Sequence, residues 1–251
     1  MNIAIVTGAS SGIGKEFVKQ LSEKYMTLDE IWVIARRKDR LEDLKEEITN
    51  VDIRPIPMDV TDSKALEEFK TLIKTLKPCV RVLVNAAGYG IIGTFDEVKD
   101  DNEGMIDVNC MALTKMINIV LPFMNKKRGN IINLASAAAF APQPSFAVYA
   151  ATKSFVLSLS TALNRELRHT GIRFTAVCPG PVETEFFDVA EVHHSVKLYK
   201  KMARVKAPDV VSLALRDAYN GAHISVYGTT MKLFRIVAKL LPHNFIVKFI
   251  R

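Results

Sequence analysis

A tyrosine and a lysine four residues apart offer the most useful acid–base chemistry in this sequence. The segment from Tyr149 to Lys153 reads Tyr-Ala-Ala-Thr-Lys, and positions i and i+4 of a helix share one face. Apolar neighbours, among them Phe146 and Phe155, place that face near a core. A cation beside a phenol stabilises the phenolate, so we expect Lys153 to lower the pKa of Tyr149 from its usual value of about 10. Such a phenol can give or take a proton near neutral pH, although the pair taken alone is more often structural.

Two further polar residues are candidates for the same site. Ser136 follows the apolar run 130–135, and at a strand end its hydroxyl could donate a hydrogen bond to a substrate oxygen. Asn109 lies among apolar residues of a long predicted helix, where a buried amide must have hydrogen-bond partners. Asn109 therefore either makes a packing bond or holds a water molecule, and both alternatives remain open.

The N-terminal segment has the pattern of an anion-binding turn. The run from Ile3 to Val6 is apolar without alternation, as in a strand buried on both faces of a parallel sheet. Gly8, Gly12 and Gly14 come next, and helical periodicity follows. A helix start offers free backbone N–H groups, and a dinucleotide pyrophosphate is the usual anion there. The spacing G-x-x-x-G-x-G differs from the common G-x-G-x-x-G fingerprint, so a tight turn without a ligand is the alternative.

Charged residues after the second and third predicted strands indicate which dinucleotide would fit. Arg36 and Arg37 stand where a dinucleotide fold meets the adenosine ribose, and a basic residue there accommodates a 2′-phosphate. This favours NADP(H) over NAD(H), with a surface arginine pair at a helix start as the alternative. Asp59 could bond the adenine amino group, while either Thr61 or Asp62 caps the next helix.

Apolar strands alternate with amphipathic helices along the whole chain. The pattern predicts strands at 2–7, 30–35, 52–57, 80–85, 129–135, 171–178 and 222–227. It predicts helices at 12–25, 38–49, 62–76, 99–125, 147–169, 207–220 and 229–241. This alternation is typical of an α/β fold: one domain over residues 1–251, with a single Rossmann-type doubly wound parallel sheet and helices on both faces. Ligands of such sheets bind beyond the carboxyl ends of the strands.

Composition narrows the function classes. The 251 residues are 49% hydrophobic and 24% charged, with a net charge of +7. The basic clusters at 36–38 and 126–128 are short and lack interleaved aromatic residues, so we expect no nucleic-acid partner. A strand that begins at residue 2, and the lack of an uncharged apolar run of roughly 18 residues, argue against a signal peptide and a membrane span. Three cysteines without metal-ligand spacing favour a reducing compartment, so we expect a cytoplasmic protein without a metal.

Together these motifs resemble those of the short-chain dehydrogenase/reductase family, and the resemblance covers nearly the whole chain. Each motif is modest alone, but their order and spacing make the set specific. The matching positions are Thr7-Gly8-x-x-x-Gly12-x-Gly14, Asp59, Asn85-Ala86-Ala87-Gly88, Asn109, Ser136, Tyr149-x-x-x-Lys153 and Pro179-Gly180 with Thr184.

The resemblance implies a nicotinamide dinucleotide bound along these motifs. The residues implied to hold it are Gly8, Ser10, Ser11, Gly12, Ile13 and Gly14 at the pyrophosphate, Asp59 and Val60 at the adenine, Asn85, Ala86 and Gly88 at the adenosine and its ribose, and Pro179, Gly180, Val182 and Thr184 toward the nicotinamide.

The resemblance also implies a mechanism. Tyr149 would give a proton to a carbonyl or take one from an alcohol, Lys153 would bond the nicotinamide ribose, and Ser136 would polarise the carbonyl. Asn109 would hold a water that relays protons through Lys153. NADPH would supply the hydride to a ketone carbon. Family members often form dimers or tetramers through the helices that hold Asn109 and Tyr149.

The stretch 181–206 lacks a clear secondary-structure pattern and corresponds to the family's substrate lid. The residues expected to contact substrate are Ser136, Tyr149, Tyr89, Phe140, Phe186 and Phe187. The other apolar residues expected in the lid are Val189, Val192, Leu198, Tyr199 and Met202, and its histidines His193 and His194 are expected to be exposed. An apolar wall suits an apolar substrate such as a steroid or bile acid, unless these side chains only pack the lid.

The C-terminal tail, residues 229–251, departs most from the family pattern. Carrier-protein reductases of this family usually continue after the last strand with valine-aspartate-glycine-glycine, whereas this chain has Val226-Tyr227-Gly228-Thr229. The departure favours a hydroxysteroid-dehydrogenase-like member over the alternative enzyme, a 3-oxoacyl reductase. From another class, a non-catalytic NADP(H)-binding sensor is the alternative, disfavoured because Tyr149 and Lys153 are both present.

The tail is also predicted to be amphipathic. Lys232, Arg235 and Lys239 share one helical face, and Pro242 ends the helix. We expect the tail to cover the substrate cleft or an oligomer interface. A weaker hypothesis is peripheral membrane contact through this basic amphipathic helix.

Overall fold

The computed structural model describes residues 1–25, 27–191 and 204–248. Within these ranges seven strands form one parallel sheet in the order β3-β2-β1-β4-β5-β6-β7. The strands are β1 Asn2–Thr7, β2 Glu30–Ala35, β3 Asp52–Pro57, β4 Cys79–Asn85, β5 Gly129–Leu134, β6 Ile172–Val177 and β7 Ile224–Ser225. The predicted parallel α/β sheet is confirmed.

Helices connect the strands. The α-helices are α1 Gly12–Lys24, α2 Lys38–Glu47, α3 Ser63–Leu76, α4 Lys99–Ile106, α5 Leu113–Val120, α6 Ala147–Glu166, α7 Phe186–Ala190, α8 Ala207–Tyr219, α9 Thr229–Leu240 and α10 His243–Ile246. A π-helical segment, Asp107–Ala112, joins α4 to α5, and 3-10 turns follow at Leu121–Phe123, Ala137–Phe140 and Arg168–Thr170. The predicted lid residues Val192, His193, His194, Leu198, Tyr199 and Met202 lie outside the described residues.

Successive strand side chains enter two separate apolar cores, one on each face of the sheet. In β1, Ile3 and Ile5 pack with α3, α5 and α6, whereas Ala4 and Val6 pack with α1, α2 and α8. Both sets are fully buried, which explains why the strand sequence shows no polar alternation.

Two predicted elements differ in the structure. The strand predicted at 222–227 is only the two residues Ile224 and Ser225, because the chain turns away at Gly228, whose φ is +84°, to begin α9. The helix predicted at 99–125 is divided by the π-helical segment. A π segment inserts an extra residue into a helical turn and is frequent at functional sites.

The continuous helical stretch Lys99–Phe123 is long and apolar enough, by length and composition, to cross a membrane. Its apolar residues have another explanation. Met116, Ile117 and Val120 are at most 3% exposed and belong to the core beneath the sheet. We therefore interpret this stretch as a core element of the α/β domain.

Candidate active site

A cleft of about 1470 Å³ lies beyond the carboxyl ends of the strands, across the switch point between β1 and β4. It extends from the glycine turn after β1 to α7 and α9. The predicted cofactor residues that line it are Gly8, Ser10, Ser11, Gly12, Ile13, Gly14, Arg36, Arg37, Asp59, Val60, Ala86, Gly88, Tyr149, Lys153, Pro179, Gly180, Val182 and Thr184. The geometry therefore brings nearly the whole predicted set to one cavity.

The glycine turn is shaped by the protein's own backbone. A Cβ on Gly8, where φ is +68°, would lie 2.7 Å from the Ala87 nitrogen, and one on Gly14 would overlap the Gly8 carbonyl. These two glycines are thus required for the turn itself. The side chain of Ser11, the N-cap of α1, makes no capping hydrogen bond, so it leaves the first N–H groups of α1 uncapped. This arrangement fits an anionic ligand.

An ion-pair cluster borders the end of the cleft that was predicted to hold the adenosine, the adenosine corner. Arg37 donates hydrogen bonds to Ser10 Oγ at 3.1 Å and Ser11 Oγ at 3.0 Å, linking β2 to the glycine turn. Its Nη1 also lies 3.1 Å from Glu185 Oε2, and Arg40 binds the other oxygen of Glu185. The hydrogen bond from Arg40 makes the largest contribution to lowering the pKa of the Glu185 carboxyl, and the bond from Arg37 lowers it further.

Glu185 and Arg40 were not predicted from the sequence. Arg40 could have been predicted from the sequence, because it lies one helical turn after Arg36 and Arg37. Glu185 had none, because it is 148 residues from Arg37 in the chain.

Asp59 keeps one carboxylate oxygen toward the cleft. Its Oδ1 accepts hydrogen bonds from the Thr61 N–H at 2.8 Å and from Thr61 Oγ1 at 2.7 Å. Burial alone would raise the pKa of Asp59, but these bonds and the Arg36 guanidinium, 4.0 Å from Oδ2, hold it below its usual value. Asp62, rather than Thr61, caps α3 through the N–H groups of Lys64 and Ala65.

Tyr149, Lys153 and Ser136 converge at the centre of the cleft. Tyr149 is 7% exposed and stacks on Phe146, with ring centroids 4.2 Å apart. Lys153 is 4% exposed; its Nζ donates to the Leu134 carbonyl at 2.8 Å and lies 5.6 Å from the Tyr149 ring centroid. Ser136 follows β5 and its Oγ accepts the Ala138 N–H at 3.1 Å.

The direction predicted for the Tyr149 pKa is wrong for this geometry. Burial raises the pKa of Tyr149 to about 12, and a hydrogen bond with Ser136 lowers it by a smaller amount. Burial also lowers the pKa of Lys153 to about 8. Desolvation dominates because the ammonium is directed at a backbone carbonyl rather than at the phenol oxygen. Tyr149 is therefore a phenol at neutral pH, the form that can donate a proton.

Asn109 lies in the π-helical segment, and its amide is bonded to protein atoms. Its Nδ2 donates to the Tyr89 carbonyl at 2.9 Å and to Thr152 Oγ1 at 3.0 Å, while its Oδ1 accepts the Tyr89 N–H at 3.1 Å. These contacts support the packing alternative left open above. The same oxygen lies against Gly88, where a Cβ would be 2.7 Å from it and 3.2 Å from Lys153 Nζ.

Three predicted site residues do not line the cleft: Asn109, whose amide bonds are given above, Asn85 and Phe140. Asn85 is 2% exposed and donates to Asn133 Oδ1 at 2.8 Å, so its side chain points along the sheet rather than toward a cofactor. Phe140 packs against Phe234 of α9, with ring centroids 6.1 Å apart. This packing on the tail helix accounts for the side chain of Phe140, which was predicted to contact substrate.

The substrate end of the cleft is mostly apolar. Tyr89, Phe186 and Phe187 line it as predicted, and Phe186 lies 5.5 Å from the Tyr149 ring. The cleft-lining apolar residues that the sequence did not indicate are Ile91, Ile92, Phe146, Met231 and Phe234. Gly90 was also missed; a Cβ there would lie 2.4 Å from the Tyr149 ring, so glycine permits the ring's position.

Known proteins share this architecture. A sequence profile described as short chain dehydrogenase matches residues 2–194. Sulfoacetaldehyde reductase 2 of Chromohalobacter salexigens is 32% identical over 233 residues, covering 90% of this chain and 91% of its own.

Two solved structures are also similar. A short-chain dehydrogenase from Sphingobium yanoikuyae, solved in complex with NADPH, is 26% identical with a TM-score of 0.82, covering 100% of this chain and 97% of its own. The bulky-bulky ketone specific alcohol dehydrogenase of Comamonas testosteroni is 26% identical with a TM-score of 0.77, covering 100% and 95%. With the profile match and the cleft geometry, these likenesses show that the chain is an oxidoreductase that belongs to the short-chain dehydrogenase/reductase family.

Proposed function

We propose that this enzyme interconverts a ketone and a secondary alcohol on an apolar substrate, with NADP(H) as the cofactor. The observation that carries the proposal is the convergence of Ser136, Tyr149 and Lys153 at the junction of the dinucleotide cleft and an apolar pocket. A protonated phenol beside a hydroxyl at a strand end is a suitable donor pair for a carbonyl oxygen.

The nicotinamide, when bound, supplies hydride to the carbonyl carbon. Residues of the chain itself supply the proton, the hydrogen bonds and the positive charge. Tyr149 donates its phenolic proton to the carbonyl oxygen as negative charge develops there. Ser136 donates a second hydrogen bond and holds the oxygen within reach of the phenol. Lys153, fixed by the Leu134 carbonyl, places a positive charge beneath the site that favours the tyrosinate left after transfer.

The choice of NADP(H) rests on the adenosine corner. Arg36 and Arg37 line the cleft after β2, and no acidic residue of β2 or of the turn to α2 stands beside them. Arg37 already binds the two serines of the glycine turn, so its guanidinium lies next to where the phosphates would lie. The Sphingobium relative, solved with NADPH, supports the same choice.

The substrate class is inferred from the pocket wall. Tyr89, Phe146, Phe186, Phe187 and Met231 give an apolar surface around Tyr149, which fits a steroid, a bile acid or a similarly bulky ketone. The similar Comamonas enzyme is named as specific for bulky-bulky ketones, which supports this inference. In the described part of the lining the cations are Arg36 and Arg37, at the end opposite the apolar pocket, and Lys153, whose Nζ is directed at the Leu134 carbonyl. A small anionic substrate such as sulfoacetaldehyde therefore has no evident partner there.

A homo-oligomer is proposed as well, with a cytoplasmic location. The exposed apolar side chains Ile106, Met111 and Phe155 lie on α4, the π-helical segment and α6, three elements that pack together. A shared face of this kind suits an interface between copies of the chain.

The experiment is cofactor oxidation followed by absorbance, with NADPH and NADH in parallel, against keto-steroids, oxo-bile acids, an acetoacetyl thioester, sulfoacetaldehyde and small ketones. We expect turnover of the polycyclic ketones with NADPH. Turnover of the thioester alone would favour a 3-oxoacyl reductase, and binding of NADPH without any turnover would favour the sensor alternative.

Arg36→Ala and Arg37→Ala should raise the KM for NADPH more than that for NADH. Equal effects on the two KM values would exclude the 2′-phosphate role of these arginines.

A further inference from the structure

The tail helix α9 presents an apolar face to solvent. In the described ranges, six large apolar side chains between residues 233 and 245 are 38–75% exposed: Leu233, Ile236, Val237, Leu240, Leu241 and Phe245. Four of them recur at i, i+3, i+4 and i+7, the spacing of one helical face. The apolar face of a helix is normally buried against the protein core, so an exposed face of this size indicates an interaction site.

The inward side of α9 is already packed. Phe234 contacts Phe140, Ala238 is 4% exposed, and Met231 lies against Gly180. The outward face is therefore a second apolar surface, not a misplaced core face.

The charges beside this face select the partner. Lys232, Arg235 and Lys239 lie along one edge of it, and Lys248 follows α10. Residues 229–251 contain five Lys or Arg and no Asp or Glu. A two-fold contact with a second copy would place the same lysines opposite each other, which is unfavourable. A bilayer with anionic headgroups offers both an apolar interior and the opposite charge.

We propose that α9 and α10 dock on the surface of an anionic lipid bilayer, with Leu233, Ile236 and Leu240 inserted at the headgroup boundary. The inference goes beyond the proposed reaction, but the two agree in geometry. Thr230, Met231 and Phe234 of the same helix line the substrate end of the cleft. Docking would thus hold the mouth of the apolar pocket next to the phase in which apolar ketones dissolve.

The test is co-sedimentation of the full chain with vesicles of phosphatidylcholine, with and without roughly one-third phosphatidylglycerol. The wild type should pellet with the anionic vesicles and be released by salt. The double variant Leu233→Gln/Leu240→Gln should bind them roughly tenfold more weakly, because it loses two inserted side chains but keeps helix propensity. Lys232→Gln/Lys239→Gln should weaken binding to anionic vesicles by roughly tenfold and leave neutral vesicles unaffected.

Leu76→Gln, an exposed leucine at the end of α3, is the matched control and should bind like the wild type. Wild-type protein that stays in the supernatant would overturn the proposal, and so would a Leu233→Gln/Leu240→Gln variant that pellets fully. Self-association in light scattering that this variant abolishes, without vesicle binding, would assign the face to a second copy instead. None of these readouts involves turnover, so their failure is separate from a failure of the proposed reaction.

Discussion

At the scale of single residues, burial decides the chemistry of the Tyr149–Lys153 pair. Taken alone, a lysine one turn from a tyrosine predicts an acidic phenol. The structure buries both groups, and burial raises the pKa of Tyr149 to about 12 and lowers that of Lys153 to about 8, which leaves Lys153 mostly charged at pH 7. The protein therefore holds a protonated tyrosine at neutral pH, and proton release is favoured only when charge develops on the substrate oxygen. This fits the role of proton donor that we propose for Tyr149.

Lys153, for which we propose a role in catalysis, should lower the stability of the folded protein. Its pKa is about 8 in the folded protein against 10.5 for the free side chain, so the unfolded chain binds its proton more tightly. The contribution of Lys153 to stability should then be most unfavourable below pH 8 and should rise between about pH 8 and 10.5, as the folded state releases the proton first. Lys153→Met should raise the free energy of unfolding at pH 7 by roughly 1–2 kcal/mol, remove that rise and abolish turnover.

Denaturant unfolding at several pH values measures this effect, with the exposed Lys74→Met as the control. A Lys153→Met protein less stable than the wild type at pH 7 would show that the bond to the Leu134 carbonyl outweighs the desolvation of the charge.

Glu185 should oppose NADPH binding. Its carboxylate pairs with Arg40 and with Arg37, one of the two arginines proposed to hold the 2′-phosphate, so the phosphate must compete with it. Glu185→Gln should lower the KM for NADPH by roughly threefold, the scale of an exposed ion pair, and leave the KM for NADH unchanged. Steady-state kinetics with both cofactors measures the ratio, and Glu183→Gln, two residues away, is the matched control. A higher KM for NADPH would mean that Glu185 orders the arginines for the phosphate instead.

At the scale of elements, the π-helical segment positions Asn109 to hold the loop after β4. The Asn109 amide satisfies both backbone groups of Tyr89, the residue that borders Gly88 and the substrate end of the cleft. Asn109→Ala leaves these groups without their partner and should lower the free energy of unfolding by roughly 2 kcal/mol.

Thermal unfolding measures this loss, and Asn118→Ala, an exposed asparagine of α5, should have little effect. An Asn109→Ala protein with unchanged stability but little turnover would restore the water-relay role that the family resemblance implies.

At the scale of the whole molecule, α4, the π-helical segment and α6 form the proposed interface between copies. Phe155 is 43% exposed on α6, beside the helix that carries Met111. Phe155→Glu should convert an oligomer to a monomer, because a buried unpaired charge is strongly disfavoured. Light scattering coupled to size-exclusion chromatography gives the mass, and Phe95→Glu, at an exposed phenylalanine outside this face, is the control. A wild-type monomer would contradict the proposal.

Much of this molecule could be predicted from local patterns. The strand–turn–helix at the N-terminus and the alternation of elements were sufficient for the parallel sheet, because each element is specified by its own periodicity. The cleft followed from the rule that ligands bind at the carboxyl edge. What failed depends on contacts distant in sequence. The Glu185 ion pair and the packing of Phe140 on the tail helix join residues that are far apart in the chain. The Tyr149 pKa depends on how completely its neighbours bury the phenol.

We propose that Tyr149 is the proton donor when the enzyme reduces a ketone with NADPH. The most direct measurement compares wild type and Tyr149→Phe in single-turnover reduction of a polycyclic ketone, with NADPH affinity determined on the same samples. We expect Tyr149→Phe to bind NADPH as the wild type does and to lose at least about 100-fold in rate, the usual contribution of a general acid. A variant that binds NADPH and reduces the ketone at the wild-type rate would contradict the account.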